Sequence, residues 1–191
     1  MGIQHNHYAD PTNKVGCDQW NDEHKIVNML GYELVEEKIL PAGTTTTTFS
    51  GLNGNEDGEY LIEAELNIEG STDTWLWVTP NGITTNQGYD YYMWWNGGGG
   101  RNSNENAARM FLVRGTGTFC NINAKLKPKT GVPRIMHTDS ASFKDQSSRT
   151  GYIARSYWSD TTTIITSLVI NTSGSPFNGK IRLWRRIPIN G

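Results

Sequence analysis

Between Tyr60 and Ile68 the chain alternates without a break. Tyr60, Ile62, Ala64, Leu66 and Ile68 occupy one side, and Leu61, Glu63, Glu65 and Asn67 occupy the other. A period of two sends successive side chains to opposite faces of an extended backbone. One of those faces needs an apolar cover and the other is acidic, so the segment belongs in a sheet with one packed side. The same period begins at Tyr32, with Leu34, Glu36 and Lys38 opposed to Val35, Glu37 and Ile39, and Pro41–Ala42–Gly43 is expected as the following turn. Thr44 to Thr48 is β-branched throughout and reads as a strand rather than as a mucin-like linker. Further strands are expected at 74–79, 88–96, 108–114, 117–126, 133–138, 150–157, 163–171 and 179–187, separated by turns such as Asn81–Gly82, Gly97 to Gly100 and Ser173–Gly174–Ser175. About ten short strands with no helical period between them, and no internal repeat, predict an all-β fold over 31–191. The expected form is a single antiparallel β-sandwich, jelly-roll-like.

Composition agrees with this class. Of 191 residues, 21 are Gly and 7 are Trp, while hydrophobic residues make up 36% and charged residues 19%. That balance suits a turn-rich β protein rather than a helical bundle or a disordered chain. No apolar stretch reaches the length of a membrane helix, so no membrane insertion is expected. The opening segment has no basic region followed by an apolar core, and Cys17 and Cys120 form neither a CxxC pair nor a disulfide framework, which favours synthesis in a reducing cytoplasm.

Residues 1–30 form a separate region. A polar arm leads to Cys17–Ile26, where a short helix is expected, with Trp20, His24 and Val27 along one side and Gly31 as its stop. So short a helix is stable only when docked, and this stripe is the expected docking surface of an anchoring arm. His5, His7 and Asp10 carry metal-ligating groups, and three copies around an axis would gather six imidazoles. So close to a terminus such residues are ordinarily solvated, and no metal or other cofactor is expected.

Charge is divided along the chain. Residues 1–70 hold 13 acidic and 3 basic groups, and residues 71–191 hold 6 acidic and 14 basic groups, which leaves −10 against +8. Two readings are open: acidic and basic strands neutralise each other within one fold, or the two meet across a subunit boundary. Basic residues are dispersed and the net charge is −2, so nucleic acid is not an expected partner.

No phosphate-cradling loop, G-x-S-x-G or HExxH occurs, and Asp139, Asp145 and Asp160 show no spacing that singles out an acid–base pair, so no catalytic residue is assigned and no enzyme is expected. Asn53–Gly54–Asn55–Glu56–Asp57–Gly58 looks like the start of a calcium loop, but Ala64 stands where the bidentate Glu is required, so a connecting turn is expected. The aromatic candidates are Trp75, Trp77, Trp94 and Trp95. Exposed, they would stack on sugar rings; packed, they would fill the core and a subunit contact.

Asn13–Lys14–Val15–Gly16–Cys17–Asp18–Gln19–Trp20–Asn21–Asp22–Glu23–His24–Lys25–Ile26 resembles the N-terminal signature of many tailed-phage fibre and virion-surface proteins. It departs from the commoner pattern at Gly16 and Cys17, where a Thr or Ser cap and an Ala are more usual. The stretch Ile164 to Arg186, with Ile165, Leu168, Ile170, Ser173–Gly174, Phe177, Gly179, Ile181 and Leu183–Trp184–Arg185, is similar to the closing hairpin of phage β-sandwich proteins. Phe49 to Leu66 looks like the Gly-Leu-x-Gly-x-x-x-Gly-Glu-Tyr turn of the same proteins. The resemblance implies a structural protein of the virion surface, a capsid decoration or small tail-fibre knob. It implies partnership with major capsid or tail proteins and with its own copies, often as a homotrimer. The alternative expectation is a carbohydrate-binding module that recognises host surface glycans.

Overall fold

Apolar residues at every second position leave one buried face per strand, and two sheets cover each other's buried faces. The computed structural model describes residues 31–70, 74–83, 89–95, 98–103, 110–115, 119–143 and 149–186. The expected arm and helix of residues 1–30, with Trp20, His24, Val27, His5, His7 and Asp10, lie outside the described residues. The strands are β1 (Tyr32–Thr44), β2 (Thr46–Ser50), β3 (Glu59–Ile68), β4 (Thr74–Pro80), β5 (Tyr89–Trp95) and β6 (Gly98–Ser103), followed by β7 (Met110–Gly115), β8 (Phe119–Leu126), β9 (Arg134–Phe143), β10 (Arg149–Trp158), β11 (Ser167–Thr172) and β12 (Phe177–Arg186). No helix occurs among the described residues.

An eight-stranded sheet runs β1-β12-β3-β8-β9-β10-β5-β6 and a four-stranded sheet runs β2-β11-β4-β7. Their strand pairs are antiparallel. Tyr60, Ile62, Leu66, Ile122 and Ile181 of the large sheet join Phe49, Leu76, Val78, Leu168 and Ile170 of the small one in a single buried cluster. The fold is an antiparallel β-sandwich. The small sheet's edge strand β7 lies over β8, β9 and β10.

Four local expectations are corrected. Pro41–Ala42–Gly43 does not end the first strand; β1 runs through it, with an irregular register between Leu40 and Thr44. β1 is an edge strand, where Pro need not donate to a ladder, and the Gly43 amide donates instead to Glu69 Oε2 at 3.0 Å. A second register shift places Leu34 opposite Trp184 but Glu36 opposite Leu183, so these two no longer share a face as an unbroken period requires. The glycine run is not a turn: Gly98–Gly100 begins β6 and pairs with Trp95, Trp94 and Met93. A side-chain-free strand is tolerated there because β6 is an edge that pairs on one side only. The expected strand at 163–171 begins only at Ser167, because residues up to Thr166 are held as a loop by Asn81 and Arg134.

Part of the charge division closes inside the large sheet. Basic β12 lies between acidic β1 and β3, with Arg182 opposite Glu37 and Glu63, Lys180 opposite Glu65, and Arg186 opposite Glu59. Arg182 Nε donates to Glu37 Oε2 at 2.5 Å and Arg185 Nε to Glu33 Oε2 at 3.2 Å. Of the two charge readings, neutralisation within one fold accounts for these strands.

Candidate functional site

Consecutive hairpins β8–β9–β10 bring three alternating sequences into register. Along Phe119–Leu126, the positions Cys120, Ile122, Ala124 and Leu126 are buried, which turns Phe119, Asn121, Asn123 and Lys125 to the outer side. Along Arg134–Phe143 the buried set is Arg134, Met136, Thr138, Ser140 and Ser142, leaving His137, Asp139, Ala141 and Phe143 outside. Ala154, Ser156 and Trp158 are buried in β10, with Ile153 and Arg155 exposed.

Pairing then builds four outer rows across these strands. Phe119 stands opposite Phe143; Asn121 opposite Ala141, itself opposite Gly151; Asn123 opposite Asp139, itself opposite Ile153; Lys125 opposite His137, itself opposite Arg155. The second row is low because Ala141 and Gly151 contribute almost no side chain. The result is an open trough of about 590 Å³ lined by Asn121, Asn123, Asp139, Ile153 and the Lys125–His137–Arg155 row. An adjoining depression of about 240 Å³ continues it over β3 and β12, between Glu63, Glu65, Lys180 and Arg182, and shares Asn121 and Asn123.

The chemistry of this outer face changes along the strands, from an aromatic pair outside the trough to the Lys125–His137–Arg155 row within it. Phe119 and Phe143 form a tilted pair with ring centroids 5.5 Å apart, and Phe143 is 50% exposed. At the opposite end, partial burial and the positive charges of Arg155 and Lys127 hold the His137 imidazole below its ordinary 6.5, with Glu59 opposing weakly. Neutral at pH 7, His137 offers one donor and one acceptor between two permanent cations. Beyond it, Trp184 Nε1 donates to Glu63 Oε2 at 2.7 Å, which fixes that carboxylate beside the second depression.

The tryptophan candidates fall in two pairs on different sheets. Trp75 and Trp77 lie on β4 of the small sheet, alternating with buried Leu76 and Val78; their rings stack 5.6 Å apart at 13°, and both are half-buried. Trp94 and Trp95 lie on β5 of the large sheet, opposite Ile153 and Tyr152. Asp139 is a trough residue, whereas Asp160 belongs to a loop. Its Oδ1 accepts from the Thr162 amide at 2.8 Å and from the Thr163 amide at 3.0 Å. Asp160 sits beside Arg134, and Asp139 stands five residues further along β9, about 17 Å away at the strand rise. Glycosidase carboxylates stand about 5 to 9.5 Å apart, so these two do not form such a pair. Asp145 lies outside the described residues. Asp57 of the calcium-like turn is buried and accepts from Tyr60 Oη at 2.6 Å, as a turn residue does.

Asn121, Asn123, Lys125, His137 and Arg155 were not singled out by sequence reasoning. The repeated Asn-x-Asn-x-Lys of 121–125 and His-x-Asp-x-Ala of 137–141 were visible, but only register places them side by side. Comparison of the chain with protein-family models, with curated proteins and with solved structures returns no match.

Proposed function

We propose that the chain is a non-enzymatic structural protein of a tailed-phage virion surface, a capsid decoration or small tail-knob protein. Its first thirty residues anchor it to major capsid or tail proteins, and it assembles with copies of itself as a trimer. The observation that carries this reading is where the resembling segments fall in the sandwich. Ile164 to Arg186 does not form the hairpin that the resemblance implies: it supplies β11, between β2 and β4 of the small sheet, and β12, between β1 and β3 of the large one, so the part most like phage β-sandwich proteins runs through both sheets. The anchoring segment joins β1 at one edge of the large sheet, and β5–β6 forms the other edge. Eight strands at about 4.8 Å spacing separate those edges by about 34 Å. Self-association rests on the resemblance, since the basic residues of β12 already face the acidic strands β1 and β3 of the same sheet.

Co-sedimentation of the full chain with purified particles tests the reading. Saturable binding is expected, weakened at least tenfold by a Trp20→Ala/His24→Ala double substitution. Binding that is absent, or unchanged by that substitution, would overturn the anchoring role.

A second reading, recognition of a host glycan, is favoured by the open polar trough. Sugar hydroxyls are met by amides and charged groups, and sugar CH faces by exposed apolar surface such as Phe143 and Ile153. On this reading the outer face of β8–β10 is a second candidate surface, beside the stacked and half-buried Trp75–Trp77 pair of β4.

A further inference from the structure

We infer that the trough and its adjoining depression together bind an uncharged, linear oligosaccharide laid across the strands. The inference rests on the glycan-recognition reading and names its ligand class and the path it takes.

Asn121 and Asn123 line both hollows, so the two form one groove with the amides of β8 at its middle. The groove crosses β12, β3, β8, β9 and β10. Four strand spacings make it about 19 Å long, room for several sugar rings end to end.

The polar groups of this groove are not spent on one another. Asn121, Asn123, Lys125, His137 and Asp139 are exposed, and none of these side chains makes a hydrogen bond among the described residues. Asn123 stands opposite Asp139 and Lys125 opposite His137, yet neither couple bonds. Each amide offers donors and an acceptor, the ammonium only donates and the carboxylate only accepts. A hydroxyl does both, so a run of sugar hydroxyls suits this mixture. Ile153, 52% exposed, adds an apolar surface for ring CH groups.

Charge decides against an ionic ligand. Arg182 is bonded to Glu37, Glu63 accepts from Trp184, and Arg155 already has an interaction partner. Glu65 and Asp139 then stand against Lys125 and Lys180, two charges of each sign with no ion-pair partner among the described residues. An anion or a cation laid along the groove meets like charge as often as opposite charge. A neutral ligand gains charge-assisted hydrogen bonds from both.

Other occupants fit less well. An extended peptide adds to a sheet through free backbone groups at an edge, but all five strands are paired on both sides. Protein interfaces have an apolar core, whereas Ile153 is the one large apolar side chain exposed among the lining residues.

The test is an array of immobilised oligosaccharides probed with the full chain. It carries neutral gluco-, galacto- and manno-oligosaccharides as disaccharides and tetrasaccharides, with oligogalacturonate and chitosan oligomers as acidic and basic counterparts. Retention of one or more neutral tetrasaccharides is expected, with the charged oligomers at least tenfold weaker. Asn121→Ala/Asn123→Ala, at exposed positions, and Ile153→Glu should each reduce binding at least tenfold with the thermal midpoint unchanged. Retention of charged oligomers alone would leave glycan recognition standing and overturn the ligand class. Binding indifferent to both variants would overturn the site, and no retention at all would overturn the glycan reading with it. The particle-binding experiment reads the virion role separately.

Discussion

The guanidinium of Arg134 lies over the ring of Trp158, 4.7 Å from its centroid, and both side chains are fully buried. Arg134 Nε donates to the Pro128 carbonyl at 3.1 Å, and its terminal nitrogens donate to the carbonyls of Asp160 and Thr163. One buried cation therefore ties the β8–β9 loop to the loop after β10, at the end of the strands that form the trough. Replacing Arg134 by Met strands three carbonyls, and the expected cost is about 3 to 5 kcal/mol in urea unfolding. Lys keeps the charge but not the fork, and should recover less than half of that loss. Trp158 Nε1 has no hydrogen-bond partner among the described residues, so Trp158→Phe should cost far less than Arg134→Met.

Acid stability should report on Asp160. Burial alone would raise its carboxyl, but hydrogen bonds from Thr163 and Thr162 outweigh this and bring it from 3.8 down to about 2. A carboxyl depressed in the folded state stabilises above its unfolded pKa, and that contribution disappears as pH falls through the folded value. The stability gap between the wild type and Asp160→Asn should be constant above about pH 5 and shrink between about pH 4 and pH 2. Chemical unfolding at several pH values measures it; a gap that is flat down to pH 2 would contradict the assignment.

Gly179 should not tolerate a methyl group. Its φ is +125°, and a Cβ there would stand 2.2 Å from the Glu65 carbonyl oxygen on the neighbouring strand. Backbone strain and the clash act together, so Gly179→Ala should cost about 3 kcal/mol or more. Gly131→Ala, also at positive φ but with open space around it, serves as the control and should cost about 1 kcal/mol. Thermal unfolding of the two variants distinguishes steric from purely conformational strain.

The two arginine pairs of β12 should differ in strength. Arg182 and Glu37 are both about one-third exposed, and Arg182→Ala should cost less than about 1 kcal/mol. Arg185 faces Glu33 and Asp57, whose side chains are only 11% and 4% exposed, and the bond to Glu33 raises its pKa. Its loss leaves two sheltered carboxylates, so Arg185→Ala should cost about 2 kcal/mol or more. Urea midpoints at low and high salt should show the Arg182 effect vanishing first.

Regular alternation made much of the sandwich legible. Tyr60 to Ile68 could be read residue by residue because the inner face is apolar at every second position and stays buried in the structure. Where pairing partners decide the outcome, sequence was mute. The register shift after Leu34, the strand made of Gly98–Gly100 and the passage of β1 through Pro41 all depend on lying at or beside a sheet edge. Arg134 looked like any arginine after a proline, since burial of a charge is dictated by carbonyls distant in sequence. The trough was hidden for the same reason: Asn123, Asp139 and Ile153 become one surface only when β8, β9 and β10 are paired. The charge division was visible in full, but its closure between β1, β12 and β3 required the strand order.

The central claim is that this sandwich belongs to the surface of a virion. Labelling purified, intact particles with antibody raised against the β-sandwich tests it most directly, with the label located by electron microscopy. Regularly placed label on the capsid or tail of intact particles is the expected result. Particles that remain unlabelled, with the antigen confined to the soluble fraction of the infected host, would contradict it.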